Sequence, residues 1–214
     1  MSNLLTLPFD TSMSELFEVL LPEELKQFPT KDDTTTRPAV VHVNGDGGGT
    51  WSFQQLDGSH QVSTGIAAPP IVQVTMTEDD FRELMLGTVR DRLVEEAGGV
   101  GQVDSLLKSS PMSLLLLSEP EVDALLAAVQ GDLQVVVDDQ DEYASYTITI
   151  TFGENEPNIE APRTKLTIEL SDWIELNKGG IDPQQAFMQG KIKMEGDISM
   201  PMTLMSLAAN RKSG

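Results

Sequence analysis

The sequence predicts an α+β fold built of two related halves, and three observations carry that prediction. Stretches of strict apolar and polar alternation mark strands, above all Tyr146, Ile148, Ile150 and Phe152 against Thr147, Thr149 and Thr151. Segments that open on a capping residue and close on glycine mark short helices between them. Finally, VTMTEDDFRELMLG at 74–87 aligns without a gap onto LTIELSDWIELNKG at 166–179, with Thr, Asp, Glu, Leu and Gly recurring in the same places.

Taken in order, Ser12 and Glu15 form a capping box for a helix over 12–27 with Leu16, Phe17, Leu20 and Leu21 as its apolar stripe, and Pro22 breaks or kinks it. Ala39 to Val43 reads as a strand, 44–49 as a glycine-rich turn, and Trp51-Ser52-Phe53 as the start of the next strand, so a hairpin is expected. His42 falls between Val41 and Val43 and belongs on the opposite face of the sheet. Val72, Val74 and Met76 form a further strand, and Thr77 to Leu86 a helix closed by Gly87. Residues 88–117 read as helices joined by Gly98-Gly99, ending in the apolar run Leu114–Leu117.

Ser118 and Glu121 open the second half with another capping box, followed by Val122, Leu125, Leu126 and Val129 on one face and Gly131 as the stop. Leu133, Val135 and Val137 alternate as a strand, and 138–142, rich in aspartate, reads as a solvated hairpin turn rather than a calcium loop, since the glycine and distal glutamate are missing. The strands Val40–Val43 and Gln134–Val137 match at an offset near 94, and those ending at Gly58 and Gly153 are expected to match as well.

The signals are densest over 181–207, which holds five of the ten methionines. Asp182 caps a helix that begins at Pro183 and stops at Gly190. Lys191 to Glu195 then alternates, sending Ile192 and Met194 to one face, before Gly196-Asp197 turns the chain. Any helix beyond must begin close to Pro201.

The run from Pro183 to Asp197, PQQAFMQGKIKMEGD, resembles the closing segment of the sterol carrier protein type-two domain family, where P-x-x-A-F-x-x-G-K-[LI]-K-[LIV]-x-G recurs. The strand and helix of 164–176 look like the segment preceding it, so the resemblance is clearest over 164–207. It implies a mixed sheet of about five strands, covered by helices around an apolar cavity for a fatty acid, acyl-CoA or sterol-like lipid, with no catalysis. On that resemblance Trp173, Phe187, Met188, Ile192, Met194, Met200, Met202 and Met205 are the candidate lipid-binding residues, thioethers being adaptable wall material. Residues 1–110 are then a divergent half without the signature strand, and 111–214 the lipid-binding domain.

Composition limits the alternatives. With 34 acidic and 14 basic residues the net charge is −20, which opposes nucleic acid and anionic membrane surfaces as partners. The absence of cysteine removes disulfides, thiolate metal sites and cysteine nucleophiles. His42 and His60, the two histidines, stand apart in the sequence and form no catalytic or metal pair. No apolar run approaches a membrane span and no leader is recognisable. A cytoplasmic, non-enzymatic carrier of an apolar molecule without cofactor or metal is the expectation; a protein-interaction scaffold with a filled cavity is the alternative.

Overall fold

The computed structural model describes residues 4–26, 35–99, 126, 129–178 and 180–204. The expected features of 100–125, Gly179, Met205 and the segment beyond lie outside these. The first helix is interrupted: α1 (Met13–Glu15) passes through a π-helical turn, Leu16–Leu20, into α2 (Leu21–Leu25). Ser12 caps it as expected, its hydroxyl accepting from the Glu15 N–H at 3.1 Å. The widened turn directly precedes Pro22, whose ring and missing N–H do not fit an unbroken α-helical ladder.

Strands β1 (Ala39–Asn44) and β2 (Gly49–Leu56) form the expected hairpin, and β2 pairs antiparallel with β3 (Ser59–Thr64). β4 (Val72–Thr77) lies parallel to β1 and leads into α3 (Glu78–Leu86), where the Thr77 hydroxyl accepts from the Asp80 N–H, and then into α4 (Thr88–Glu96). In the second half β5 (Gly131–Asp139) and β6 (Ala144–Phe152) form a hairpin. β7 (Thr164–Glu169) is parallel to β5 and leads into α5 (Leu170–Asn177). After α6 (Pro183–Met188) comes β8 (Ile192–Gly196), antiparallel to β7.

All eight strands join one sheet in the order β3-β2-β1-β4-β6-β5-β7-β8. The count exceeds the five expected of a single unit because the halves share a ladder: β4 and β6 are antiparallel, with Val74 opposite Ile150. The repeat is visible in register. Val40 pairs with Gln73 across β1 and β4, and Gln134 pairs with Lys165 across β5 and β7, which is the alignment expected from the sequence. The edge of β7 that receives β8 corresponds to the edge of β4 that receives β6. Among the described residues the first half has no counterpart of β8, and β6 of the second half stands in that place. Gly58 and Gly153, expected to be equivalent strand ends, are not: Val41 opposes Trp51 whereas Val135 opposes Ile148, which displaces β6 by two residues from that alignment.

Alternation divides the sheet into two faces. Val41, Val43, Val74, Met76, Val137, Ile148 and Ile168 point to the helix-covered face and share one core with Phe17, Phe81 and Ile174. In the first half that core is aromatic: Phe17 stacks on Trp51 at 4.4 Å between centroids and meets Phe53 and Phe81 at 5.8 and 5.5 Å. Helix α1 and its continuation thereby fill the space over β1 and β2 with rings. The Trp51 indole N–H donates to Glu18 at 3.1 Å.

The other face carries hydroxyls and amides yet is largely covered. Ser52, Thr149 and Thr151 are buried, and loops close over them through hydrogen bonds: the Gln73 amide donates to the carbonyls of Gly153 and Asn155, and that of Gln134 to Ile159. His42 lies on this face, as its parity requires, half-buried between Thr50 and Gln73 at 3.1 Å each.

Candidate functional site

The candidate residues sit on α5, α6, β8 and the helical turn at 199–204 that follows it. Helix α6 is set by local chemistry. The Asp182 carboxylate accepts from the Gln185 N–H at 2.8 Å, and Pro183 occupies a position that needs no N–H donor. At its other end Gly190, with φ +74°, donates to Phe187 while Lys191 donates to Ala186, the paired bonds of a Schellman motif. This stop aims the chain straight into β8. Lys191 also pairs with Asp172 on α5, tying the two helices together.

β8 then extends two apolar rows across the sheet. Ile192 continues the row Ile168, Val137, Tyr146, and Met194 the row Leu166, Val135, Ile148. Ile192 is buried and Met194 half-buried. Burial, followed by the nearby carboxylates, raises the Tyr146 phenol above its ordinary value, so it stays neutral. On α5, Ile174 is fully buried and Trp173 half-buried against the same core, its carbonyl accepting from the Asn177 amide at 2.6 Å.

Met200 is 4% exposed and lies over the start of β5: a Cβ built on Gly131 would come within 3.3 Å of its methyl. Its helical turn is held by Asp197, which accepts from the Ser199 N–H and hydroxyl and from Arg163. These bonds, the two from Ser199 first, pull the Asp197 carboxyl down to about 2.

The eight candidates therefore divide. Trp173, Ile192, Met194 and Met200 converge on the core of the second half. Phe187 (38% exposed), Met188 (78%) and Met202 (47%) project outward, and Met205 lies outside the described residues. A six-residue helix buries one position here, Ala186, and sequence spacing alone does not say which residue that is.

Two larger clefts flank this core. One, about 290 Å³, is lined by Arg37, Ile71, Leu126, Val129 and Phe152, with Gly153 to Asn155 at its rim. It adjoins Met200, because Phe152 pairs with the Gly131 that Met200 covers. The other, about 280 Å³, lies between α4 and α5 and is acidic, with Asp138, Asp139, Asp141, Glu96 and Glu169 around Arg92. Arg92 donates to Asp139 at 2.7 Å and to Asp141 at 2.8 Å. The 138–142 turn is thus a hairpin as expected, but Asp139 is buried as an anchor between the halves instead of solvated. Among the described residues no cluster of histidine and carboxylates is placed to hold a metal ion, and no helix is long and apolar enough to cross a membrane.

Residues 111–209 match the SCP-2 sterol transfer family. The resemblance read from the signature segment thus extends through most of the second half. No curated protein matches the chain. Among solved structures, sterol carrier protein domain 2 of Helicoverpa armigera is similar at 27% identity, covering 50% of this chain and 84% of its own, with a TM-score of 0.37. Sterol carrier protein 2 like 2 from Aedes aegypti is similar at 17% identity over 44% of this chain and 95% of its own, TM-score 0.29. Sterol carrier protein-2 like-3 of the same organism is 12% identical over 94% of this chain and 99% of its own, TM-score 0.22.

Proposed function

We propose that the protein is a carrier that binds one fatty acid, acyl-CoA or sterol-like lipid in its second half, without bond chemistry. The observation that carries this reading is the family match over 111–209, joined to the convergence of Trp173, Ile192, Met194 and Met200 on the helix-covered face of that half. The adjoining cleft, where Ile71, Leu126, Val129 and Phe152 stand beside Arg37 and Glu154, supplies an approach that can seat a polar head as well as an apolar chain; Phe187, Met188 and Met202 stay on the outer surface. Burying about 400 Å² of an acyl chain contributes about 10 kcal/mol, enough for an affinity on the order of micromolar after association costs. The first half is the structural partner: its equivalent space is occupied by Phe17, Trp51, Phe53 and Phe81. One lipid per chain is the expected stoichiometry.

Native mass spectrometry of freshly purified protein, followed by organic extraction, tests this directly. A mass one lipid above the bare chain, and displacement of a fluorescent fatty acid by that lipid, are the expected results. Phe152→Ala, which removes the ring lining the cleft, should weaken binding at least about tenfold, and Val129→Asp on the same cleft should do so by making its wall charged; circular dichroism of each variant separates lost binding from lost fold. A mass that stays bare after incubation with fatty acids, acyl-CoA and sterols would overturn the carrier reading and leave the scaffold, which the packed first half and the acidic cleft favour.

A further inference from the structure

The two edges of the sheet are treated differently. β8 closes one end with Lys193 and Glu195 along it and Lys191 immediately before it, the charged edge that discourages further strand pairing. β3 closes the other end with Ser-His-Gln-Val-Ser-Thr, and from residue 58 to residue 77 there is no Asp, Glu, Lys or Arg, the longest such stretch in the chain. The β3 edge has no proline and no interruption in its pairing with β2. Burial holds His60 below the ordinary histidine value, so it too is neutral at pH 7.

The turn that precedes β3 fixes which of its backbone groups are free. Asp57 and Gly58, both with positive φ, form a two-residue hairpin, so the flanking pair Leu56 and Ser59 is hydrogen-bonded. Ser59, Gln61 and Ser63 therefore bond inward to β2, and Gly65 continues the parity by donating to Thr50 at 2.8 Å. The N–H and C=O groups of His60, Val62 and Thr64 point outward, and no described residue pairs with them.

We propose that this edge is where two copies of the chain meet, β3 against β3 in antiparallel register, to continue the sheet across a two-fold axis. Self-pairing suits it. Antiparallel edge pairing is symmetric, so the same strand satisfies both copies. With Val62 facing Val62, His60 faces Thr64 on either side of the axis, giving about six backbone hydrogen bonds. A chain of net charge −20 repels its own copy, and the uncharged edge is where that repulsion is least. A single strand edge makes a small interface, below about 1,200 Å², so the dimer belongs to the weak, concentration-dependent class.

Sedimentation equilibrium on the full chain from about 1 to about 500 µM provides the test, that range bracketing weak association. A reversible monomer–dimer equilibrium is expected, and it should tighten as salt rises, because screening removes the repulsion between like-charged copies. Val62→Pro deletes an outward donor without touching the bonds to β2. Gln61→Lys with Ser63→Lys sets cations opposite each other across the axis. Each variant should raise the dissociation constant at least about tenfold at unchanged near-ultraviolet circular dichroism, while Lys193→Ala on β8 leaves it unaltered. A wild-type chain that stays monomeric at about 500 µM in about 0.5 M salt, whether or not the edge takes up an extended peptide from another protein, overturns the proposal. So does a dimer that survives both β3 variants.

Discussion

At the scale of single residues, the second half is tied off by Asp197. It draws together Arg163 before β7 and Ser199 after β8, and its backbone carbonyl accepts from the Thr164 hydroxyl at 2.6 Å. A carboxyl held at about 2, below its ordinary 3.8, stabilises the fold above the unfolded value and loses that contribution as pH falls toward 2. Asp197→Asn should therefore lower the unfolding midpoint at pH 7 and converge with wild type near pH 2; chemical denaturation at the two pH values checks it. The aromatic cluster of the first half provides a larger effect. Phe17 is fully buried and in contact with three rings, so Phe17→Ala should cost about 3–5 kcal/mol in urea unfolding.

At the scale of elements, the two glycines of the signature segment act differently. Gly190 and Gly196 both have positive φ, but a Cβ at Gly190 meets nothing within 4 Å, whereas at Gly196 it would lie 2.4 Å from the Arg163 carbonyl. Gly190→Ala should cost about 1 kcal/mol, the conformational term alone. Gly196→Ala should cost at least about 2 kcal/mol more and loosen β8 from β7, read as faster amide exchange across Ile192–Gly196.

These elements were legible because their signals are local: a cap, a proline, a glycine stop and a two-residue alternation all lie within 15 residues of one another. β3 was not, since Ser-His-Gln-Val-Ser-Thr offers one apolar residue and its strand character comes from pairing with β2. The site was legible only in part for a related reason. Parity placed Ile192 and Met194 correctly, but the phase of α6 depends on what it packs against, and that contact is Ala186 rather than Phe187 or Met188.

At the scale of the whole molecule, periodicity says nothing about which open edge finds which, and the β4–β6 ladder that fuses the halves rests on such a choice. Arg92, reaching from α4 to Asp139 and Asp141, and Lys178, reaching from α5 to Glu96, add ion pairs across the same junction. The pairs of Asp141 and Lys178 are partly exposed and contribute modestly, while Asp139 is buried and would be left uncompensated without Arg92; the shared ladder and core are the larger coupling. The two tryptophans report on this independently, one in each half: Trp51 against Phe17, and Trp173 on α5. If the sheet unfolds as one unit, the single-tryptophan variants Trp51→Phe and Trp173→Phe should each give one transition, and the emission midpoint of either should match its own circular dichroism midpoint. Separated midpoints would mean that the halves open independently and that β6 can leave β4 without unfolding the rest. A lipid bound only in the second half should raise both midpoints together in the coupled case, by mass action on the whole chain, and only that of the Trp173 reporter in the uncoupled one.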